Sequence, residues 1–375
     1  MKPEMNEMFS NPLSFQPVNF AAIQMPSALR MVLPDAERVP QGYTVDAEGM
    51  LHFCFYYPNA ESVSVRNVLF ATELHKENGF WVGEADWGKG FVACCLIVDG
   101  SMTLSQFLPL CFSDNRPLNY VDIPDGSTVR AVRDVSHGIV VQDFLKSHLT
   151  GNAERINIYL PPQYLSEPER RFPVLYLQHG IGENETVWVS QGRINFVLDN
   201  LLAEGKITPF IVVMANGMQT EADEKESRLH CGSFHEFLLD DLMPYAENRY
   251  RIAEGRENHV MAGLSMGSIQ TSRTAFLHPE LFRAIGLFSG FLTDPLSGYN
   301  DHLTPERLAA FKASGTTIFR GIGDEDPFMQ VFTSNDSLLE HAGIPCDRRI
   351  YHGNHEWNVW RQCFVDFAGQ TFPIR

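Results

Sequence analysis

The pentapeptide Gly263-Leu264-Ser265-Met266-Gly267 sets one serine between two residues without side chains. A serine hydroxyl is a weak nucleophile until a base takes its proton, and its usual target is a carbonyl carbon, so the chemistry on offer is acyl transfer or hydrolysis. The apolar run His259 to Leu264 reads as a strand and Ser268 to Leu277 as a helix. Ser265 then lies on a strand-to-helix turn, where a nucleophile elbow belongs. Such a turn is tight and strained, and Gly263 and Gly267 supply the small residues it needs. GxSxG alone is a weak signal that also occurs in Gly/Ser turns without chemistry; the strand-turn-helix setting strengthens it.

The serine needs a histidine beside it and a carboxylate to orient that histidine, and on an elbow the chain order is Ser, then Asp or Glu, then His. Five histidines follow Ser265. His278 precedes Pro279 at the expected helix end, and His302 and His341 sit in polar surroundings, so these three are expected at the surface. His355 lies in a loop after the strand-like Arg348 to Tyr351 and before the helical Trp357 to Phe367; it is the favoured base, with His352 its competitor. The acid is expected after the strand Thr316 to Ile322, in Gly323-Asp324-Glu325-Asp326-Pro327, with Asp326 preferred to Asp324. Attack on a carbonyl builds an oxyanion that backbone N–H groups must meet. Met266, next after the serine, and Ile181, in His179-Gly180-Ile181-Gly182, are the candidate donors. His179 precedes Ser265, against the expected order, and a structural role is expected for it.

Two grammars run along the chain that must position these groups. Leu51 to Tyr57, Ser62 to Arg66 and Phe91 to Val98 alternate partly between apolar and polar residues, with Pro58-Asn59 and Asp99-Gly100 as turn signals. That is the pattern of a half-buried antiparallel sheet, and a β-sandwich over residues 1–126 is the simplest reading. From about Ser127 the strands become short apolar runs: Ile156 to Leu160, Val174 to Leu177, Phe210 to Met214, His259 to Ala262 and Ala284 to Phe288. Runs without alternation suit strands buried on both faces. Residues 127–375 are therefore expected to form a doubly wound, mostly parallel α/β domain of the α/β-hydrolase class. The boundary falls at Pro124-Asp125-Gly126. Between the runs, Phe234, Phe237, Leu238, Leu242 and Tyr245 recur at helical spacing, with Pro244 expected to kink that helix or end it early.

The 375 residues carry a formal net charge of −17, which argues against nucleic acid as a partner because phosphate must be met by basic side chains. A small neutral or saccharide-like substrate fits better. No apolar run is long enough to span a membrane. The opening Met1 to Met8 lacks an apolar core, so the expectation is a cytoplasmic protein, or a secreted one whose leader has been removed. Seven scattered cysteines without CxxC spacing suggest reduced thiols. His352-Gly353-Asn354-His355-Glu356 departs from the zinc-binding patterns, so neither metal nor cofactor is expected.

Four stretches together are far more specific than the pentapeptide: Pro173 to Gly180, Gly263 to Gly267, Gly323 to Asp326 and His355 to Arg361. They resemble the esterase family that contains feruloyl esterases, acetylxylan esterases, S-formylglutathione hydrolase and enterochelin esterase. The resemblance implies a triad of Ser265, Asp326 and His355, and a substrate bearing a feruloyl or acetyl ester on a plant-derived saccharide, with Trp188 and Trp357 lining its pocket. Siderophore or thioester hydrolysis on the same triad, and an inactive carbohydrate-binding protein, are the alternatives. The first domain resembles early-set or glycogen-binding sandwiches through Phe53 to Val65, Asp99-Gly100 and Asn119 to Asp122. Its candidate roles are glycan binding, covering the site, and supporting a homodimer. One departure stands out: Glu183 occupies a position where many relatives carry a second glycine.

Overall fold

In the computed structural model, residues 41–374 are described except 68, 219–233, 296, 297 and 299. The chain forms two compact units: one runs through Cys111 and again over Arg116–Thr128, the other comprises Phe112–Asn115 and Val129–Arg375.

The first unit is all β. Its strands are β1 (Gly42–Val45), β2 (Leu51–Phe55), β3 (Val63–Arg66), β4 (Ala71–Glu73), β5 (His75–Glu77), β6 (Phe80–Ala85), β7 (Gly90–Val98), β8 (Ser101–Thr103), β9 (Leu110–Ser113) and β10 (Arg116–Ile123). They make a sheet β1-β2-β6-β5 and a second sheet β4-β3-β7-β10-β9, with β8 on β7. Alternation along β2 turns Leu51, Phe53 and Phe55 inward, where they meet Val63, Val65, Leu96 and Val121 of the other sheet in one core. Side chains that alternate across a pleat leave one apolar face per sheet, and two such faces closing on each other make a sandwich.

The second unit holds an eight-stranded sheet of β11 (Ile139–Lys146), β12 (Ala153–Leu160), β13 (Val174–Gln178), β14 (Ile211–Ala215), β15 (His259–Leu264), β16 (Ala284–Phe288), β17 (Thr317–Gly323) and β18 (Asp347–Tyr351). Its order is β11-β12-β14-β13-β15-β16-β17-β18. The first two strands pair antiparallel, and the six from β14 to β18 run parallel. Every residue of β13, β14, β15 and β16 is buried, which is why their sequences lack alternation. β18 lies at an edge and carries Asp347, Arg348 and Arg349, charges that discourage further strand pairing. This is the α/β-hydrolase fold. Because β13, β15, β17 and β18 are parallel, the loops that leave their carboxyl ends emerge on one edge of the sheet. Those loops begin at His179, Ser265, Asp324 and His352.

Of the two outcomes expected at Pro244, a kink or an early end, the helix does not end there. The segment runs from Phe234 to Arg249, with six residues, Phe237–Leu242, wound as π-helix just ahead of the proline. Proline lacks an N–H and crowds the carbonyl four residues back, and the wider turn relieves both. Six of the cysteines lie among the described residues as free thiols; Cys231 lies outside them.

Candidate active site

Ser265 ends β15 and precedes the helix Met266–Leu277, with φ 50° and ψ −116°. A non-glycine residue held there costs on the order of 1–3 kcal/mol and persists only where its surroundings enforce it. They do: Ser265 N–H donates to Phe288 O (2.9 Å), and its carbonyl accepts from Ser268 N–H (2.9 Å) and Ser268 Oγ (2.6 Å).

The two glycines act through close approach rather than through unusual φ. A Cβ on Gly263 would lie 2.3 Å from Gly267 O, and one on Gly267 would lie 2.6 Å from His179 O and 2.8 Å from Gln178 O. Backbone cannot rotate aside as a side chain can. Gly267→Ala should therefore destabilise the protein by about 3 kcal/mol, lowering Tm by roughly 6–12 °C in a thermal melt. Gly369→Ala, in the helix Trp357–Thr371 with nothing within 4 Å of the added carbon, should leave Tm unchanged or raise it. Equal melting of the two variants would contradict this account of the elbow.

His355 is brought against the serine. Its Nε2 lies 2.9 Å from Ser265 Oγ, and its Nδ1 lies 2.8 Å from Asp326 Oδ2. Asp326 is fully buried at its side chain, whereas His355 is 20% exposed. Burial alone would raise the Asp326 carboxyl, but the hydrogen bond and charge of His355, Phe328 N–H (2.9 Å) and Ser289 Oγ–H (2.7 Å) hold it below the usual carboxylate value. An ionised Asp326 only accepts, so the shared proton sits on His355 Nδ1 and Nε2 is free to accept from Ser265. This line can take a proton from the serine and hold the resulting imidazolium.

The competitors lie elsewhere. His352 is 87% exposed and pairs with Asp324 Oδ2 at 3.3 Å, while Asp324 Oδ1 accepts from Gly353 N–H. Asp324, Glu325 and His352 could each offer one ligand atom to a cation, but all are exposed. His278 is half-buried and His341 exposed. His302, expected at the surface, is instead fully buried: its Nε2–H donates to Leu292 O (2.7 Å), and burial pushes it down to about 4. Its polar neighbours in sequence misled because a single backbone acceptor suffices to bury a neutral imidazole.

Met266 opens its helix, so its N–H is a first-turn donor without an intrahelical acceptor. In the loop after β13, Gly180 stands against the serine, where an added Cβ would be 3.5 Å from Ser265 Cβ. His179 is wholly buried and pushed down to about 4 by burial; its Nδ1–H donates to Gly180 O (2.7 Å), and its Nε2 accepts from Gly217 N–H (2.8 Å). Peptide planarity then turns Ile181 N–H away from the held carbonyl.

Trp188 and Trp357, expected to line the pocket, do not offer their rings to a substrate. They are 0% and 4% exposed and pack edge to face at 5.1 Å, their N–H groups spent on Gln178 O (2.9 Å) and Glu183 Oε1 (2.8 Å). An indole surrounded on all sides acts as core. The apolar wall beside the histidine comes from residues the sequence did not single out. Phe328 and Phe291 lie 5.1 and 6.4 Å from the His355 ring and cluster with Met218, Met266, Ile269 and Val331. Ser289 and Trp360 were missed as well: Trp360 Nε1–H donates to Ser289 Oγ (2.9 Å), which donates in turn to Asp326. The one available clue was that Ser289 immediately follows the apolar run Ala284–Phe288, at the same strand edge as the other groups.

These features define an α/β-hydrolase with a serine elbow. An esterase family profile, described as "Putative esterase", matches residues 147–370, more than half the chain, and the chain belongs to that family. It is similar to an endo-1,4-beta-xylanase/feruloyl esterase of Xylanibacter ruminicola, 34% identical over 342 residues, covering 88% of this chain and 45% of that protein. The chain thus spans less than half the length of this relative. Among solved structures, a ferulic acid esterase of Anaeromyces mucronatus in complex with ferulic acid aligns with a TM-score of 0.59 at 23% identity, covering 66% of this chain and 96% of that one. An enterobactin esterase of Shigella flexneri aligns with a TM-score of 0.65 at 15% identity, covering 88% and 95%. No described helix is long and apolar enough to cross a membrane.

Proposed function

We propose that the chain is a serine esterase of feruloyl-esterase type, with Ser265 as nucleophile, His355 as general base and Asp326 as its orienting carboxylate. The carrying observation is the hydrogen-bonded line Ser265 Oγ, His355 Nε2, His355 Nδ1, Asp326 Oδ2, at 2.9 and 2.8 Å. As Ser265 Oγ attacks the ester carbon, its proton passes to His355 Nε2, and the N–H groups of Ile181 and Met266 receive the negative oxygen. Collapse expels the alcohol, which leaves with the proton from His355. Water then attacks the acyl-serine, giving its proton to the same nitrogen, and the acid departs as Ser265 is restored.

The substrate is proposed as a feruloyl or acetyl ester on a plant-derived saccharide. The apolar wall of Phe291, Phe328 and Met218 suits an aromatic acyl group, and the similar proteins of Xylanibacter and Anaeromyces are named for ferulic acid. The likeness to an enterobactin esterase over 88% of the chain favours a catecholate ester as the second reading. Methyl ferulate, an aryl acetate, a catecholate lactone and S-formylglutathione, assayed side by side, separate these. The expected order of kcat/KM puts methyl ferulate first, by at least about tenfold over the lactone and the thioester. The lactone in first place would transfer the assignment to the second reading.

A further inference from the structure

Beside the catalytic line lies a carboxylate that it does not use. Glu183 is buried, and its two oxygens accept three N–H donors: Gly180 N–H at 2.9 Å, Trp357 Nε1–H at 2.8 Å and Gln191 Nε2–H at 3.3 Å. Gly180 belongs to the loop that carries Ile181, and Trp357 follows His355 by two residues, so one side chain joins the oxyanion loop to the segment bearing the base. We propose that Glu183 is a positioning residue for oxyanion stabilisation, its carboxylate holding the Gly180–Gly182 loop so that Ile181 N–H faces the reacting carbonyl. The inference rests on the esterase reading above.

The geometry makes the role specific. With its carbonyl held by His179 and its N–H held by Glu183, Gly180 is fixed at both ends, and the plane of the next peptide follows. Three converging N–H groups call for an acceptor with no hydrogen of its own, which the ionised carboxylate is. A glutamine would bring two N–H groups into the same space, and a protonated carboxyl one O–H. Burial raises the Glu183 carboxyl, the three donors pull it back, and the balance stands at about 7, so the strut loses its charge as pH falls below neutrality. The ionisable groups on the surrounding elements are His179 on the same loop, Glu185 paired with Arg155, and His355 and Arg361 on the side of Trp357. Arg361 donates to Gln191 O (2.8 Å).

The test compares wild type with Glu183→Gln on one aryl ester across pH. Both proteins contain His355, so the ratio of their kcat values at each pH reports what the Glu183 side chain contributes. At about pH 8.5 the variant should lose at least about tenfold in kcat with KM within about threefold, because an oxyanion donor acts on the transition state alone. At about pH 5.5, where wild-type Glu183 is also uncharged, the ratio should shrink to about threefold or less. A ratio that stays constant with pH, an unchanged kcat, or a loss confined to KM overturns the proposal. Should Glu183→Gln fail to fold, Trp357→Phe keeps an aromatic ring at this position and removes one donor. Its kcat should fall and reach its plateau at higher pH than wild type; an unaltered profile overturns the proposal equally. A wild type silent on every ester brings down the esterase reading itself, whereas an active wild type with a flat ratio brings down only the role of Glu183.

Discussion

Ser265→Ala should lower kcat for an aryl ester by about six orders of magnitude, the loss known when a serine hydrolase loses its nucleophile. The argument is chemical before it is structural. With Oγ absent, His355 has nothing to activate except water, and the elbow's strained geometry no longer presents an attacking atom. A residual rate above the uncatalysed reaction should survive if Ile181 and Met266 supply the oxyanion donors proposed for them, because the substitution leaves both N–H groups in place. Burst kinetics with a p-nitrophenyl ester would measure it: wild type should show stoichiometric acylation before steady state, and the variant none. Alanine fills less space than serine at a buried turn, so the melting temperature should hardly change, which separates lost chemistry from lost fold. A variant that retained even a few per cent of the rate would remove Ser265 from the mechanism.

How much of this was legible in the sequence depended on where the physics is local. Strands buried on both faces advertise themselves by composition, so β13, β14, β15 and β16 stand where their apolar runs do. The elbow was legible because its constraint is short-range: Gly263 and Gly267 must both be small for the backbones to meet. The fate of a tryptophan or a histidine is decided by what lies across the fold. Trp188 meets Gln178 O and Phe364, Trp357 meets Glu183, and His302 meets Leu292 O, and no local pattern reports those partners. Glu183 shows both sides of this limit. As a departure from the expected glycine it was visible in the sequence, but its three donors come from positions 180, 191 and 357 and only folding brings them together. Pro244 sets a local rule against a global one, and a π-helical turn reconciles them.

Asp326→Asn should cost about 10⁴ in kcat while leaving the protein folded and substrate binding close to wild type, and the reason is the position of one proton. In the native site Asp326 Oδ2 accepts from His355 Nδ1–H, which leaves Nε2 as the acceptor facing Ser265 Oγ. Asparagine offers an NH₂ or a carbonyl at nearly the same place. Phe328 N–H donates to the other oxygen, Oδ1, and a backbone donor cannot reverse its role, so the amide oxygen takes that place and the NH₂ is left at the Oδ2 position, facing the imidazole and a Ser289 hydroxyl that can rotate to accept. A donor at Nδ1 forces the histidine proton onto Nε2, where it points at the serine and can no longer accept. The negative charge that stabilises the imidazolium is lost in the same step. Asp324→Asn is the matched control, because Asp324 binds the exposed His352 and Gly353 N–H rather than His355. It should alter kcat by less than about twofold. The pair of variants decides which acid of the loop does the chemistry: a large loss in Asp324→Asn with little in Asp326→Asn would reverse the assignment, however good the static geometry. The control also bears on His352, since an Asp324–His352 couple that mattered to catalysis would fall with either partner. In wild type the Asp326 carboxyl lies below its ordinary value, so it takes up its proton at lower pH than a free carboxylate would. The stability it contributes is present above the unfolded carboxylate range and is lost only as pH falls through its lowered folded value. The asparagine variant should lack that part of the acid sensitivity, which pH-dependent melting of the two proteins would reveal as curves that converge at low pH and separate above it.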